Sequence, residues 1–294
     1  MTRRHAVMLI VLALIWGASF MFIKVAVREV APLALVWFRI LLATAVLVPV
    51  AFATLGRRAA AEFRREWRPL VVMAVVNSAV PFALLAWSET RLDSGLAAIL
   101  QAAAPLFTAL ISLRFGSDRV TGSRLVGVLV GFVGVALLVG AHSGGDLLAA
   151  LAIVLTALCY SSAGVYGAHR LRDVEPLVVG AGSMLIASLV AAPFGLATLP
   201  AVVPGWRETG SVLALGLVGT GVAYMLFFAI LRGAGAARAI LVTYLVPSFA
   251  LLYGVILLHE PLRVTAVAGL ALILGGVALG TGLRRGRAAL ASPA

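Results

Sequence analysis

One charged side chain stands inside an apolar stretch of this sequence: Arg39, within residues 36–40. A charge at the centre of a bilayer costs at least about 2.5 kcal/mol, so such a residue usually faces a cavity or a partner. Because the apolar runs contain no Asp or Glu at depth, the expected partners are helix carbonyls, hydroxyls or an anionic group of a substrate, such as a carboxylate. Snorkelling to an interface, or a structural bond to carbonyls, is the alternative interpretation.

Other polar and aromatic residues lie in the middle of apolar runs and could line a binding site together with Arg39. Taken singly, each is most simply explained by a helix–helix hydrogen bond worth about 0.6 kcal/mol. Taken together, they fall on matching segments of the two halves of the chain, which indicates a pocket with apolar walls and a few polar contacts. The predicted substrate-binding residues are Trp16, Ser19, Arg39, Asn77, Gln101, Tyr160, Ser161, Tyr224, Thr243 and Tyr244.

Catalytic and metal chemistry find little support in the sequence. The single cysteine, Cys159, lies in an apolar run, so no intrachain disulfide can form and a metal cluster is not expected. His259-Glu260 lacks the second histidine of a zinc-protease helix, and Gly219-Thr220-Gly221 follows no strand and has no phosphate-loop lysine. We therefore predict no catalytic residue, no metal and no cofactor. An intramembrane enzyme acting on lipid is the alternative from another functional class, and it should show a deep nucleophile–base pair.

Composition then places these residues in a membrane. The chain has 294 residues, of which 63% are hydrophobic and only 12% charged, and its mean hydropathy is +1.12. Such values indicate a polytopic all-α membrane protein. The pattern predicts ten transmembrane helices, at residues 6–25, 32–55, 69–88, 94–114, 122–140, 147–168, 176–199, 209–231, 237–258 and 263–283.

The net charge of +12 would suggest nucleic acid in a soluble protein, but here the basic residues cluster between the spans. With the N-terminus in the cytoplasm, most Arg and Lys residues fall on the inner side of the membrane. This asymmetry predicts that both termini are cytoplasmic. The basic N-terminus leads into an apolar run without a clear cleavage site, which favours a retained first span over a signal peptide. The residues left on the outer side are Lys24, Arg28, Arg91, Arg207 and Arg263.

The sequence also repeats itself. Residues 97–118 return as residues 239–260, with Pro105 matching Pro247 and Asp118 matching Glu260. The matches fall five spans apart, and since five is odd, the second unit enters the membrane upside down. We predict two inverted five-helix repeats, at residues 1–145 and 146–283, followed by a basic cytoplasmic tail at 284–294. Secondary transporters share this plan, with a substrate site near the midplane.

The matched prolines and glycines suggest how the repeats work. Pro105 and Pro247 each remove one backbone hydrogen bond, so they are predicted to act as hinges that gate the pocket, a static kink being the alternative. Glycines four residues apart, Gly127 with Gly131 and Gly276 with Gly280, permit close helix packing, either within one chain or in a dimer. A monomer or weak homodimer is expected.

Taken together, these residues resemble the EamA-type exporters of the drug/metabolite transporter superfamily over nearly the full length of the chain. Ser117-Asp118 departs from the Gly-Glu pair that members of the family usually have. The motifs that carry the likeness are Trp16-Gly17, Phe38-Arg39, Pro105 with Asp118, Tyr224 followed by Ala229-Ile230-Leu231-Arg232, and Pro247 with His259-Glu260-Pro261.

The resemblance implies a small-molecule exporter in the bacterial inner membrane, whose substrates would be amino acids, related metabolites or drugs. The aromatic-rich residue set is similar to that of exporters of aromatic and other apolar amino acids. The sequence thus predicts alternating-access export of hydrophobic amino acids. Because no acidic residue or histidine is found at depth, transport should be facilitated or only weakly coupled to protons. A multidrug exporter of lipophilic compounds is the alternative in the same class.

Overall fold

The computed structural model describes residues 2–114, 122–140 and 146–280, and within these ranges every regular element is helical. In the first half the helices are α1 (Arg3–Ala26), α2 (Pro32–Leu55), α3 (Arg57–Ala74), α4 (Val80–Glu89), α5 (Ser94–Gln101), α6 (Ala104–Arg114) and α7 (Gly122–Gly140). In the second half they are α8 (Leu147–Arg170), α9 (Pro176–Ala197), α10 (Trp206–Leu213), α11 (Ala223–Ala234), α12 (Ala236–Ala239), α13 (Val242–Leu257) and α14 (Val264–Gly280).

Two of the predicted spans contain a π-helical segment in their middle. One segment, Val75–Ala79, joins α3 to α4, and the other, Ala214–Val222, joins α10 to α11. A π-helix is rare and occurs mostly as a single bulged turn, frequently at a functional site. The two segments lie in the third and eighth predicted spans, which correspond to each other in the sequence repeat.

The helices are suited to a membrane. Within the described residues, seven helical stretches are long and apolar enough to cross a bilayer, and three shorter apolar helices fall where the remaining predicted spans lie: Leu125–Gly140, Val242–Leu257 and Val264–Leu279. The chain is therefore a multi-pass helical membrane protein, while the count of ten spans and the position of the termini stay predictions. The basic N-terminal part of α3 lies before a departure from helical geometry at Glu66.

Many contacts between helices are repeated when each span is replaced by its equivalent in the other half of the chain. The most extensive pairs are α7 with α14, α2 with α9, and α1 with α13. Three contacts have a counterpart when equivalent spans are exchanged: α1 with α13 corresponds to α8 with α6, α4 with α8 to α11 with α1, and α3 with α9 to the second π-helical segment with α2. The core therefore lies between the halves, and this pairing supports the predicted duplication.

The fourth and ninth spans are broken, and here the structure corrects the prediction of one helix with a proline in its middle. In the fourth span the break covers Ala102 and Ala103, and Pro105 is the second residue of α6. In the ninth span the break covers Ile240 and Leu241, and Pro247 lies inside the unbroken helix α13. The two prolines are equivalent in sequence but not in their position relative to the break.

The glycines of α7 and α14 pack the two helices against each other within one chain. A Cβ atom added at Gly134 would lie 2.8 Å from the Leu272 Cβ and 3.1 Å from the Gly269 carbonyl oxygen. A Cβ atom at Gly276 would overlap the backbone of Gly127 and Gly131. This packing accounts for Gly127, Gly131 and Gly276 without a dimer, and it follows from the lack of a hydrophobic driving force between helices in lipid, where close backbone contact supplies the attraction.

We predict that Gly276→Ala destabilises the protein by about 1–3 kcal/mol, because the new methyl group must push α7 away from α14. The matched control is its neighbour: a Cβ atom at Gly275 meets nothing within 4 Å, so Gly275→Ala should leave stability unchanged or raise it slightly. Thermal unfolding in detergent measures both. Equal melting temperatures for the two variants would contradict the close α7–α14 contact.

Candidate functional site

Arg39 lies two turns into α2, a helix that begins at Pro32, a residue suited to the first helical position. Its side chain is 7% exposed. Its Nε–H donates a hydrogen bond of 2.9 Å to the Thr220 hydroxyl, and its guanidinium lies 3.7 Å from the ring centroid of Phe82. The charge is thus held by a hydroxyl from the second half and an aromatic face from the first, and a buried cation–π contact is worth about 2 kcal/mol.

Both π-helical segments contribute polar groups to this region. Thr220 belongs to the second segment, where its hydroxyl donates to the Leu215 carbonyl oxygen at 2.9 Å while it accepts from Arg39. Asn77 belongs to the first segment, and its Nδ2 donates to the Tyr224 hydroxyl at 3.4 Å. The wider π turn therefore presents one polar side chain from each half of the chain toward the other half.

Aromatic side chains form a continuous wall beside Arg39. Tyr160 and Tyr224 both lie near the guanidinium. From Tyr224 the wall continues through edge contacts to Phe228 at 5.7 Å and from Phe228 to Phe227 at 5.9 Å, and Phe227 meets Trp16 at 5.6 Å between ring centroids. Such contacts contribute about 0.5–1.5 kcal/mol each beyond area burial. The structure thus brings five predicted site residues into one cluster, the Arg39 cluster: Trp16, Arg39, Asn77, Tyr160 and Tyr224.

The remaining predicted site residues have other roles or positions. The hydroxyls of Ser19 and Thr243 donate to carbonyl oxygens of their own spans, at Ile15 and Ile240. Tyr244 is partly buried against the main core. Gln101 is the last residue of α5, and its Oε1 is buried without a hydrogen-bond partner in the part of the chain that the structure describes. It offers a free acceptor at the break of the fourth span.

Ser161 ties the broken fourth span to α8. Its hydroxyl lies 2.6 Å from the Ala104 carbonyl oxygen and 2.8 Å from the Ala157 carbonyl oxygen. Ala104 is the first residue of α6, directly before Pro105. The contact with Ala104 joins α8 to the first turn of α6, so Ser161 supports the segment beside the break rather than lining the pocket.

One acidic residue that the sequence analysis did not consider is buried in the protein at the end of a span. Glu89 is the last residue of α4 and is 0% exposed. The predicted third span ended one residue earlier, so that Glu89 was assigned to a loop. Phe82 and Thr220 were missed as well. The cluster of glycines Gly216, Gly219 and Gly221 around Thr220 was a signal of close packing, because a Cβ atom at each would meet a neighbouring side chain.

The chain closes tightly around Glu89. Lys24 Nζ donates to the carbonyl oxygens of Glu89 and Leu92, at 2.9 and 2.7 Å. The Glu260 carboxylate accepts from the Ser94 N–H at 2.8 Å, from the Ser94 hydroxyl at 2.9 Å and from the Gly95 N–H at 3.2 Å. The Lys24 ammonium lies at the C-terminal end of α4 and the Glu260 carboxylate at the N-terminal end of α5, so each charge interacts favourably with the helix dipole beside it. Asp118, the repeat counterpart of Glu260, lies outside the described residues.

A shallow, open and apolar groove lies on the surface, apart from Arg39. Neither Arg39 nor its neighbours Tyr160 and Tyr224 line this groove. Its walls are Leu14, Ile15, Ala18, Phe22, Val218, Gly219 and Tyr253. We place the candidate site at the Arg39 cluster, because a transported solute with polar groups needs polar contacts inside the bundle.

Comparison with known proteins agrees with this architecture. The chain is 29% identical to the uncharacterized protein PA1977 of Pseudomonas aeruginosa, covering 98% of this chain and 99% of that one. It is 27% identical to an uncharacterized transporter of Archaeoglobus fulgidus (91% and 96% covered), and 28% identical to the uncharacterized inner membrane transporter YedA of Escherichia coli K12 (93% and 89%). A solved crystal structure shares the fold, with a TM-score of 0.69 at 23% identity over 99% of this chain.

The EamA-like transporter family matches the chain twice, at residues 4–140 and 147–281. The two matches divide the polypeptide between α7 and α8, so that α2 with Arg39 lies in the first copy and the π-helical segment with Thr220 in the second. The hydrogen bond between these two residues therefore crosses from one copy to the other. The chain belongs to the EamA-like transporter family and contains two copies of the domain that defines it.

Proposed function

We propose that this membrane transporter exports aromatic and other hydrophobic amino acids by alternating access around the Arg39 cluster. The observation that carries the proposal is a buried arginine with unused donors beside an aromatic wall. Within the described residues, Arg39 makes one hydrogen bond, from Nε. The terminal nitrogens are left to bind a carboxylate, for which the guanidinium fork is well matched.

The remainder of an amino acid can also be accommodated. An apolar or aromatic side chain would pack on Phe82, Tyr160, Tyr224 and Trp16, which are large surfaces with little rotamer freedom to lose. The unpartnered Oε1 of Gln101 could accept a hydrogen bond from the substrate ammonium once the fourth span moves. A zwitterion would thus have one partner for each charge.

Alternating access requires contacts that form and break at the two ends of the bundle. At one end, Lys24 and Glu260 join α1 and the segment after α13 to the turn between α4 and α5. At the other end, Glu62 is paired with Arg58 at 2.7 Å and accepts from the Glu175 N–H at 3.0 Å, which joins α3 to α9. We call these two sets of contacts the Lys24–Glu260 seam and the Glu62 seam. We propose that the two inverted copies move against each other so that one seam opens while the other stays closed, with α5–α6 and α12–α13 as gates.

The proposed setting is the bacterial inner membrane with both termini in the cytoplasm. The distribution of Arg and Lys supports this orientation. In it, the seam at Lys24 and Glu260 faces outward and the seam at Glu62 faces the cytoplasm. Transport of small molecules by the family supports the absence of an enzymatic role.

A multidrug exporter is the second candidate, and one observation favours it. A site for lipophilic cations needs an anionic partner, and the carboxyl group of Glu89, which is buried in this structure, supplies one when it is ionised. Growth of a sensitive host in the presence of cationic dyes, with and without expression of the protein, separates the candidates. Protection against dyes without exchange of amino acids would replace the first proposal by the second.

Counterflow in proteoliposomes tests the substrate class. Vesicles loaded with an unlabelled amino acid mixture should take up labelled phenylalanine and leucine, but not lysine or threonine. Trp16→Ala should slow phenylalanine exchange at least about fivefold, since the loss of one aromatic contact costs roughly 1 kcal/mol. The control is Trp206→Ala, because that side chain is 80% exposed at the start of α10. Exchange of no amino acid by the wild type would remove the substrate assignment.

The placement of Arg39 by Thr220 leads to a second test. Thr220→Val removes the acceptor of the Arg39 hydrogen bond, which is worth roughly 1 kcal/mol, so the half-saturating phenylalanine concentration in counterflow should rise about fivefold. Thr220→Ser retains the hydroxyl and should stay within about twofold of the wild type. If valine and serine behave alike, Arg39 does not depend on Thr220 for its position.

The hinge role of Pro105 can be tested through rates. Pro105→Ala restores an N–H and should let α5 and α6 join into one helix, so exchange should slow several-fold. Pro193→Ala is the control, since Pro193 lies exposed inside α9 away from the breaks. Unchanged exchange in Pro105→Ala, measured at saturating phenylalanine, would support the static-kink interpretation.

A further inference from the structure

The carboxyl group of Glu89 is buried without any compensating contact. It is 0% exposed, and neither of its two oxygens has a hydrogen-bond partner in the described part of the chain. The nearby Lys24 ammonium is engaged with backbone carbonyl oxygens, at 2.9 and 2.7 Å, instead of the carboxylate. Burying an unpaired ionised carboxylate is far more costly than burying the neutral acid, so this arrangement suits a protonated side chain.

The charged groups around Glu89 come from three directions and oppose one another. Lys24 on α1 and Arg39 on α2 favour the ionised carboxylate, whereas the carboxylate of Glu260 disfavours it. From α8, which packs along α4, Tyr160 faces Arg39 rather than adding a charge. Because two cations and one anion face a carboxyl group that has no hydrogen bond in the described residues, the balance between its neutral and ionised forms depends on the positions of Lys24 and Glu260.

Glu89 also lies close to water while remaining sealed. The next two residues, Thr90 and Arg91, are exposed, whereas Leu92 and Ser94 are buried again. The seal consists of Lys24 on the carbonyls of Glu89 and Leu92 and of Glu260 on the N–H groups of Ser94 and Gly95. Opening of this seam would place the carboxyl group in contact with solvent, where it can release its proton.

We propose that Glu89 is a proton-binding site that couples proton movement to transport. In the sealed state shown here the side chain holds a proton as COOH, and in an opened state it releases that proton to water and becomes COO⁻. Glu89 and Arg39 interact electrostatically, so the proton on one and an anionic substrate group on the other influence each other's binding reciprocally. The prediction of facilitated or weakly proton-coupled transport did not take account of Glu89, an acid buried in the protein at the end of α4.

The first test needs no substrate. Infrared spectra of the purified protein in lipid at neutral pH should contain the carbonyl-stretch band of a protonated carboxylic acid, and Glu89→Gln should remove it. Glu62→Gln is the matched control, because Glu62 is another buried glutamate (7% exposed) but is ion-paired with Arg58. Its substitution should leave the band in place. A wild-type spectrum without the band, or a band that survives in Glu89→Gln, overturns the proposal.

The second test measures coupling. The experiment starts with equal phenylalanine concentrations on both sides of the proteoliposome membrane, and a gradient of one pH unit is then imposed. If one proton moves per substrate, phenylalanine should accumulate up to about tenfold for one of the two directions of the pH gradient. Accumulation is expressed relative to counterflow in the same vesicles, so a general loss of transport leaves this ratio unchanged. Glu89→Gln should lower the ratio to no accumulation. Counterflow without accumulation in the wild type, in either orientation, contradicts coupling.

The coupling proposal rests on the proposed transport function, whereas the protonation of Glu89 does not. If phenylalanine is not exchanged at all, the substrate assignment fails and the infrared result still decides the state of Glu89. Glu89→Asp provides a second variant if Glu89→Gln does not fold. This variant retains a carboxylic acid on a side chain that is one methylene shorter, so the carbonyl-stretch band should persist at a shifted frequency. An unshifted band would show that the band belongs to another residue.

Discussion

The cost of placing a positive charge inside an apolar helix bundle is the constraint on which the other features of this structure depend. Arg39 is kept at depth because a hydroxyl, an aromatic face and two phenols surround it. Thr220 can accept its hydrogen bond because the π turn that carries it aims the side chain at α2, and glycines at positions 216 and 221 allow that turn to approach α2 closely. The irregular backbone of the eighth span is thus explained by the charge that it stabilises.

Irregular helix geometry recurs at three places where the two halves make polar contacts. The first π-helical segment aims Asn77 at Tyr224, the second aims Thr220 at Arg39, and the break of the fourth span is held by Ser161. A regular α-helix in lipid keeps its backbone groups paired internally and offers only side chains to its neighbours. Bulges and breaks release backbone groups and rotate side chains, but they are tolerated only where protein surrounds them. Their position between the halves therefore coincides with the site.

Much of this architecture could be predicted from the sequence, because long apolar runs and an internal duplication are strong signals. The deep arginine and its aromatic neighbours were found for the same reason, since a charge or a tyrosine in an apolar run is conspicuous. Glu89 was missed because hydropathy places the end of a span only approximately, and a boundary one residue too early turned a buried acid into a loop residue. No sequence pattern predicted the π turns, because they arise from packing between distant helices.

The duplicated halves are related but have diverged where function would require asymmetry. Arg39 has Ser183 as its counterpart in the repeat, and Ser183 donates only to the Gly180 carbonyl of its own helix. Pro105 is the second residue after its break, whereas Pro247 lies within α13, six residues after its break. Two inverted units with identical gates would open equally easily to both sides. A single charge and a single break next to proline instead give the two ends different energies, and a transporter with a preferred resting state requires such a difference.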